Sequence, residues 1–271
     1  MHVALLSCAL LCMTLTLAVA QETPVAPQLT AVGQVVVEKD VPYLLDPDCV
    51  SHPRLSISFS EQMKQWAEKD ALNPPSKGGI VFNGSSTFTR WKTVPTDFAP
   101  LPAVNRAYGG SRIWDLWYWA DQAVIALEPK IVVVYIGDND MTTLFNTGGK
   151  LVWQPNDNNV AFFMKYVRLY VEKIRAKLPN TRFIFVPVKP CPSRFAGWEV
   201  AYKPLNKALA EYCAQQKNMA FVDTTGLMMN PDGTPNANLY EKDMLHFKAE
   251  VYPSWAREIR PVLDRMWAEV K

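Results

Sequence analysis

Ile80-Val81-Phe82-Asn83-Gly84-Ser85-Ser86 decides how the rest of the chain reads, because three apolar residues run straight into a short polar block. An apolar run this short suits a strand buried on both faces, and the abrupt polarity puts the next residues at the end of that strand. The same grammar recurs along the chain. Ala103 and Val104 lead into Asn105 to Gly110, and Ile131 to Ile136 lead into Gly137-Asp138-Asn139-Asp140. Two further runs, Phe183 to Val188 and Met219 to Val222, precede a fourth polar block, Asp243-Met244-Leu245-His246. Between the runs, apolar residues at helical spacing predict helices over about 111–127, 160–178, 199–217 and 249–269, and another begins near Ser60 and stops at Asn73-Pro74-Pro75. Strand alternating with helix predicts an α/β fold: a parallel sheet of about five strands, covered on both sides. In such sheets the functional crevice lies beyond the carboxyl ends of the strands, where strand order reverses. The polar blocks fall at that edge.

Together these blocks hold the parts of an acyl-transfer site. A serine hydroxyl is a poor nucleophile until a base takes its proton, and an imidazole base works best when a carboxylate fixes its tautomer and direction. Ser86 can supply the hydroxyl, His246 the imidazole and Asp243 the carboxylate. Once the N-terminal segment considered below is removed, only His52 and His246 remain as histidines. The oxyanion formed on attack needs hydrogen-bond donors, and the Ser86 N–H, the Gly110 N–H and the Asn139 amide can provide them. Gly110 suits a backbone donor that must approach a substrate closely. Taken singly, DxxH is a weak signal, Gly110 is an ordinary turn glycine and Asn139 a strand-end turn residue; the four blocks in order carry the inference.

The N-terminus has a different character. Residues 3–19 form an uncharged apolar run ending in Ala18-Val19-Ala20 before Gln21-Glu22-Thr23, the pattern of a secretory signal peptide over 1–20 with cleavage after Ala20. This predicts a secreted or periplasmic protein with no stable membrane insertion after leader removal. Residues 21–58, rich in proline and polar side chains, read as an extended arm, and 59–271 as the main domain. With 49% hydrophobic residues, the roughly 250 residues left after cleavage can bury a substantial core. A formal charge of +2 is too small to point to nucleic acid as a partner. Cys49, Cys191 and Cys213 allow at most one internal disulfide and show no metal-ligand spacing. No nucleotide-binding glycine pattern is present, so the expected site uses no cofactor and no metal.

Gly84-Ser85-Ser86, Gly110, Gly137-Asp138-Asn139-Asp140 and Asp243-Met244-Leu245-His246 resemble the four consensus blocks of the SGNH, or GDSL-type, hydrolases. The resemblance runs from about Gly79 to Trp267 and implies a flavodoxin-like three-layer fold and ester hydrolysis. By the same resemblance Ser86 is the nucleophile, Asp243 and His246 complete the triad, and Gly110 and Asn139 join Ser86 in the oxyanion hole. The sequence departs from the pattern in two places. Ser85 stands where the family usually has aspartate, and Ala107 stands where the second block often has glycine. Ser85 also makes the nucleophile ambiguous; aligning Gly84-Ser85-Ser86 with Gly-Asp-Ser places it at Ser86.

The expected partner is a small-molecule or glycan ester, with an acetyl group on a carbohydrate or other hydroxylated compound as the leading reading. Alternatives are a lysophospholipase- or thioesterase-like lipid acylhydrolase and a non-catalytic glycan-binding protein of the same fold. Trp114, Trp117, Tyr118, Trp119, Trp153 and Trp198 can offer faces to a sugar or acyl chain, although aromatics at helical spacing are more often core. Asn83-Gly84-Ser85 is formally a glycosylation sequon, but a glycan there would block the proposed site, and none is expected. Arg194 can steer an anionic substrate or pair with a surface acid.

Overall fold

In the computed structural model, the described residues are 59–144, 146–147, 150–151 and 157–270. The expected leader and arm, His52, Cys49 and Trp153 lie outside them. The first helix, α1 (Ser60–Leu72), begins where expected, with Phe59 in the capping position. There follow β1 (Ile80–Gly84), α2 (Ser86–Thr89), α3 (Val94–Asp97) and β2 (Ala103–Asn105). Next come α4 (Ile113–Tyr118), α5 (Ala120–Ala123), β3 (Ile131–Tyr135) and α6 (Asp138–Leu144). Two-residue strands β4 (Asn146–Thr147) and β5 (Lys150–Leu151) pair antiparallel ahead of α7 (Asp157–Lys177). The chain then forms β6 (Arg182–Phe185), α8 (Lys203–Ala214), β7 (Met219–Phe221) and α9 (Tyr252–Ala268).

All five expected apolar runs are strands of one parallel sheet in the order β2-β1-β3-β6-β7. Among sheet members that is the flavodoxin-like order 2-1-3-4-5, whose switch point lies between β1 and β3. The chain leaves β1 toward one side and β3 toward the other, so a crevice opens at their carboxyl ends. Ser86 and Asn139 are the second residue after β1 and the fourth after β3, respectively.

Every residue of β1 and β3 is buried, which explains why both read as continuous apolar runs instead of alternating ones. Alternate side chains nevertheless serve different layers. Ile80, Phe82, Ile131, Val133, Tyr135 and Ile184 face a core built with Phe88 of α2, Val94 of α3, and Trp255, Ile259 and Leu263 of α9. On the other face, Tyr170 of α7 packs against Phe183 and donates to Asn83. Trp91 stacks on Trp255 at 5.3 Å between ring centroids, directly behind the Ser86 turn. Arg106, after β2, donates twice to Asp70 of α1 at 2.6 and 2.7 Å and lies over Trp66, tying the first helix to the sheet.

Two expected helices are interrupted, each for a local reason. The 111–127 segment breaks at Trp119 into α4, α5 and a short 3-10 turn, and the Lys173 ammonium caps the freed carbonyls of Trp117 and Tyr118 at 3.0 Å each. The 199–217 segment opens with a π turn over Trp198–Tyr202 before α8. Pro204 has no N–H to complete an α-helical bond there.

Candidate active site

The site is assembled from three strand ends and one long loop. Gly84 closes β1 with φ +153°, and a Cβ on it would lie 2.1 Å from the Tyr135 carbonyl oxygen of β3. Only glycine lets the two strands approach this closely just before the chain turns. The Ser85 N–H then donates to that same carbonyl at 3.1 Å, and Ser86 starts α2. As the first residue of a helix, Ser86 presents an N–H with no intrahelical acceptor.

The Ser86 hydroxyl lies 2.9 Å from His246 Nε2, and His246 Nδ1 lies 2.6 Å from Asp243 Oδ2. Residues 160 positions apart in the chain thus form one line of hydrogen bonds. The other carboxylate oxygen of Asp243 accepts the backbone N–H groups of Leu245 at 3.0 Å and His246 at 2.9 Å. This local turn, with Met244 at φ +53°, fixes the carboxylate relative to the imidazole. It is anchored in turn by the Tyr240–Phe247 bridge and by the Ser193 N–H on the Met244 carbonyl.

The other two blocks close in from the second side. Gly110 turns at φ +85°, and a Cβ on its neighbour Gly109 would sit 3.8 Å from that of Ser86. Ser111 donates its hydroxyl to the Gly84 carbonyl at 3.1 Å. The Asn139 amide donates to Ser85 Oγ at 3.2 Å and to the Ser111 carbonyl at 3.0 Å, and Asp140 accepts the Ile113 N–H at 2.8 Å. Three separate strand ends are thereby stitched together. The two adjacent serines have different surroundings: Ser85 is fully buried against Asn139, while Ser86 faces the imidazole and a cleft.

That cleft has a volume of about 380 Å³ and is walled by Thr89 and Arg90 on one side, Gly109, Gly110 and Asn139 on another, and Leu245 beside His246. A larger hollow of about 570 Å³ lies at the opposite edge, around Lys130, Arg182 and Asn218, where β3, β6 and β7 begin. It contains none of the polar blocks, whereas the smaller cleft is lined by Ser86, Gly110, Asn139 and His246.

Electrostatics suit proton transfer in the cleft. Burial lowers the His246 pKa below its ordinary value; the bond to Asp243 opposes this, and the charges of Arg90 and Lys189 reinforce it. The imidazole is therefore neutral near pH 7 and can accept a proton. For Asp243, desolvation raises the pKa, but the backbone N–H and ring of His246 and the Leu245 N–H outweigh it and hold the carboxyl well below the usual carboxylate range. Asp138 behaves similarly: burial pushes it up, yet Lys189 and Arg194 bring it down to about 2. Asp140 is the exception, pushed by burial to about 7, with one carboxylate oxygen lacking any hydrogen-bond partner.

Several candidates lie elsewhere. Trp114 is buried against Phe162 and Tyr166, and Trp198 is buried beside Phe195; neither they nor the half-buried Trp117, Tyr118 and Trp119 line the cleft. Arg194 donates to the Asp138 carbonyl and carboxylate at 2.7 and 3.2 Å, so it serves an internal network. Asn83 is fully buried, donating to the Arg106 carbonyl and accepting from Tyr170, which leaves no access for a glycan. Cys191 and Cys213 are buried free thiols. Among the described residues no group of three or more His, Cys, Asp or Glu side chains is placed to hold a metal ion, and no helix is long and apolar enough to cross a membrane. Two site neighbours lie outside the four polar blocks. Arg90 follows Ser86 by one helical turn, a spacing that signals proximity, whereas Lys189 between Val188 and Pro190 reads as the end of an apolar run.

A strand-end serine, a loop histidine and its aspartate at the switch point of a flavodoxin-like sheet define a serine hydrolase-like architecture. The pattern of the GDSL-like Lipase/Acylhydrolase family matches residues 76–252, more than half of the chain, and the chain belongs to that family. Among solved structures, the fold is similar to a GDSL-like lipase from Bacteroides thetaiotaomicron, 22% identical with TM-score 0.60, over 75% of this chain and 97% of that one. A Streptococcus pneumonia protein named for platelet activating factor matches with 15% identity and TM-score 0.62, over 76% and 94% of the two chains. An acetyl xylan esterase, AlAXEase, matches with 17% identity and TM-score 0.50, over 68% and 98%. A search of curated proteins finds no match.

Proposed function

We propose that the protein is an exported serine ester hydrolase that removes a small acyl group, acetyl first among them, from a carbohydrate or other hydroxylated compound. The observation that carries this reading is the Ser86–His246–Asp243 line of hydrogen bonds, with spacings of 2.9 and 2.6 Å, opening on a cleft of about 380 Å³. In the reaction, His246 Nε2 takes the hydroxyl proton as Ser86 Oγ attacks the ester carbonyl. The N–H groups of Ser86 and Gly110 hold the resulting oxyanion, joined by the Asn139 amide as it exchanges its 3.2 Å bond to Ser85 Oγ for one to the oxyanion. Collapse returns the proton from His246 to the leaving alcohol and leaves Ser86 acylated. Water, activated by the same imidazole, then releases the acid.

The size of the cleft supports a short acyl group, since it lies near the lower end of ligand sites, roughly 300–1,000 Å³. The likeness to an acetyl xylan esterase agrees with an acetylated carbohydrate, although at 17% identity it is a likeness of fold. Export is supported by the uncharged run over 3–19 and by Ala18-Val19-Ala20. The test is turnover of p-nitrophenyl esters from acetyl to dodecanoyl by the mature protein and by Ser86→Ala. Highest kcat/KM at acetyl, lost in the variant, is the expected result. A maximum at long chains would move the substrate to lipids, and equal turnover by both proteins would end the esterase reading.

A further inference from the structure

Beneath the proposed site lies a charged cluster that ester hydrolysis, as described so far, does not use. Lys189 follows β6, and its side chain is wholly buried. Its ammonium has three protons to donate and three acceptors in reach: Thr87 Oγ1 at 3.0 Å, the Tyr135 hydroxyl at 3.0 Å and Asp138 Oδ2 at 2.8 Å. Tyr135 donates to the same carboxylate oxygen of Asp138, and Arg194 to the other. One carboxylate therefore serves two cations. Burial would lower the Lys189 pKa, but Asp138, with smaller help from Cys191 and Tyr240, raises it above the ordinary lysine value, so the cation persists.

The fold gives little reason for such a cluster. Buried ion pairs repay their desolvation poorly, and apolar side chains of similar volume commonly serve stability as well or better. What this cluster does provide is a link. Thr87 is the neighbour of Ser86, and its carbonyl is also held by the Tyr252 hydroxyl at 2.8 Å. Asp138 is the neighbour of Asn139. Lys189 bridges the two, and its ammonium lies over the rings of Tyr135 and Phe247, the latter adjacent to His246.

We propose that Lys189 is a positioning residue for acyl transfer: it locks the Ser86 turn against the Asn139 turn and sets excess positive charge behind the site where the oxyanion forms. This rests on the esterase reading. The charged groups that act on the His246 ring are Asp243, Arg90 and Lys189, and among them Asp243 alone favours the imidazolium. Losing Lys189 therefore both loosens the geometry and makes the base easier to protonate.

The test compares wild type, Lys189→Met and the double variant Lys189→Met with Asp138→Asn, which keeps a folded protein available if the single variant leaves Asp138 too poorly compensated. Three readouts are taken: melting temperature, kcat and KM on p-nitrophenyl acetate across pH, and the rate at which a fluorophosphonate modifies Ser86 across the same pH range. The expected result in each folded variant is a kcat lower by about 10- to 100-fold, the scale of a misplaced catalytic group, with KM changed less than about threefold. The acid limb should move to higher pH in Lys189→Met, in both turnover and modification, and stay near the wild-type position in the double variant, where a positive and a negative charge are lost together. Folded variants with wild-type kcat and an unmoved acid limb, whatever their melting temperature, would show that Lys189 is only structural and overturn the proposal. If the wild type hydrolyses no ester, the esterase reading fails by itself; Lys189 is then judged by the phosphonate rate, and equal rates and limbs in all three proteins overturn it.

Discussion

Replacing Asp243 with asparagine removes one charge and leaves almost the same shape. One oxygen of this carboxylate accepts the N–H groups of Leu245 and His246, and the other accepts from His246 Nδ1. All three contacts need an acceptor. Asparagine has one oxygen and one amide nitrogen, so either orientation sets a donor against a donor. If the oxygen stays on the backbone, the amide drives the ring to the tautomer protonated on Nε2, which faces Ser86 and can no longer take its proton. If the oxygen turns to the ring, two backbone donors lose their acceptor. Losing a charge-assisted bond costs about 1.5–3 kcal/mol and leaving a donor unpaired about 1–3 kcal/mol more. At 1.36 kcal/mol per decade of rate, the sum corresponds to roughly 10²- to 10⁴-fold in kcat. Because the Asp243 side chain is 41% exposed, water relieves part of that cost, and the expected loss is in the lower half, about 10²- to 10³-fold. The assay is kcat on p-nitrophenyl acetate, with melting temperature as a control for folding. A folded Asp243→Asn enzyme within about threefold of wild type would refute the assignment of Asp243 as the group that orients the base.

Gly84→Ala places a Cβ 2.1 Å from the Tyr135 carbonyl at φ +153°, so it should cost more than about 4 kcal/mol and abolish soluble expression; a normal melting temperature would contradict the strand contact. Arg90→Met should move the acid limb of kcat/KM upward, because Arg90 disfavours the imidazolium and the enzyme loses its base as pH falls through the His246 pKa. With Arg90 49% exposed and 3.9 Å from Asp243, that interaction is worth at most about 1 kcal/mol, hence less than about 0.7 pH unit. The shift should shrink in high salt, and a downward shift would sink the argument. Asp140 has a folded pKa of about 7 against about 3.9 unfolded, so native stability falls as pH rises through that window, by up to about 4 kcal/mol. Asp140→Asn can still accept the Ile113 N–H but buries an unpaired amide costing about 1–3 kcal/mol, so it should melt higher than wild type at pH 8 and lower at pH 4. The same sign at both pH values would contradict it.

The sheet was legible because burial on both faces writes strands as unbroken apolar runs, and all five such runs are strands. Helix continuity was not. The break at Trp119 depends on Lys173, more than fifty residues away, and α2, α3 and α6 are too short to show a helical period. Strand order cannot be read from spacing alone; the reversal between β1 and β3 appears only when the strands pair. The polar blocks were visible as departures from apolar runs, which is how Ser86, Gly110, Asn139, Asp243 and His246 were singled out. Lys189 escaped for the opposite reason. A single lysine flanked by Val188 and Pro190 gives no sign of burial, since the carboxylate that permits it belongs to Asp138, at the end of a different strand.

The central claim is that the Ser86 hydroxyl, with its proton drawn to His246, is the nucleophile. Incubating the protein with a fluorophosphonate and mapping the modified peptide by mass spectrometry tests it directly. One label per chain is expected, on Ser86, formed at least about 100-fold more slowly in His246→Ala. Label on Ser85, or label on Ser86 formed equally fast without the histidine, would contradict it.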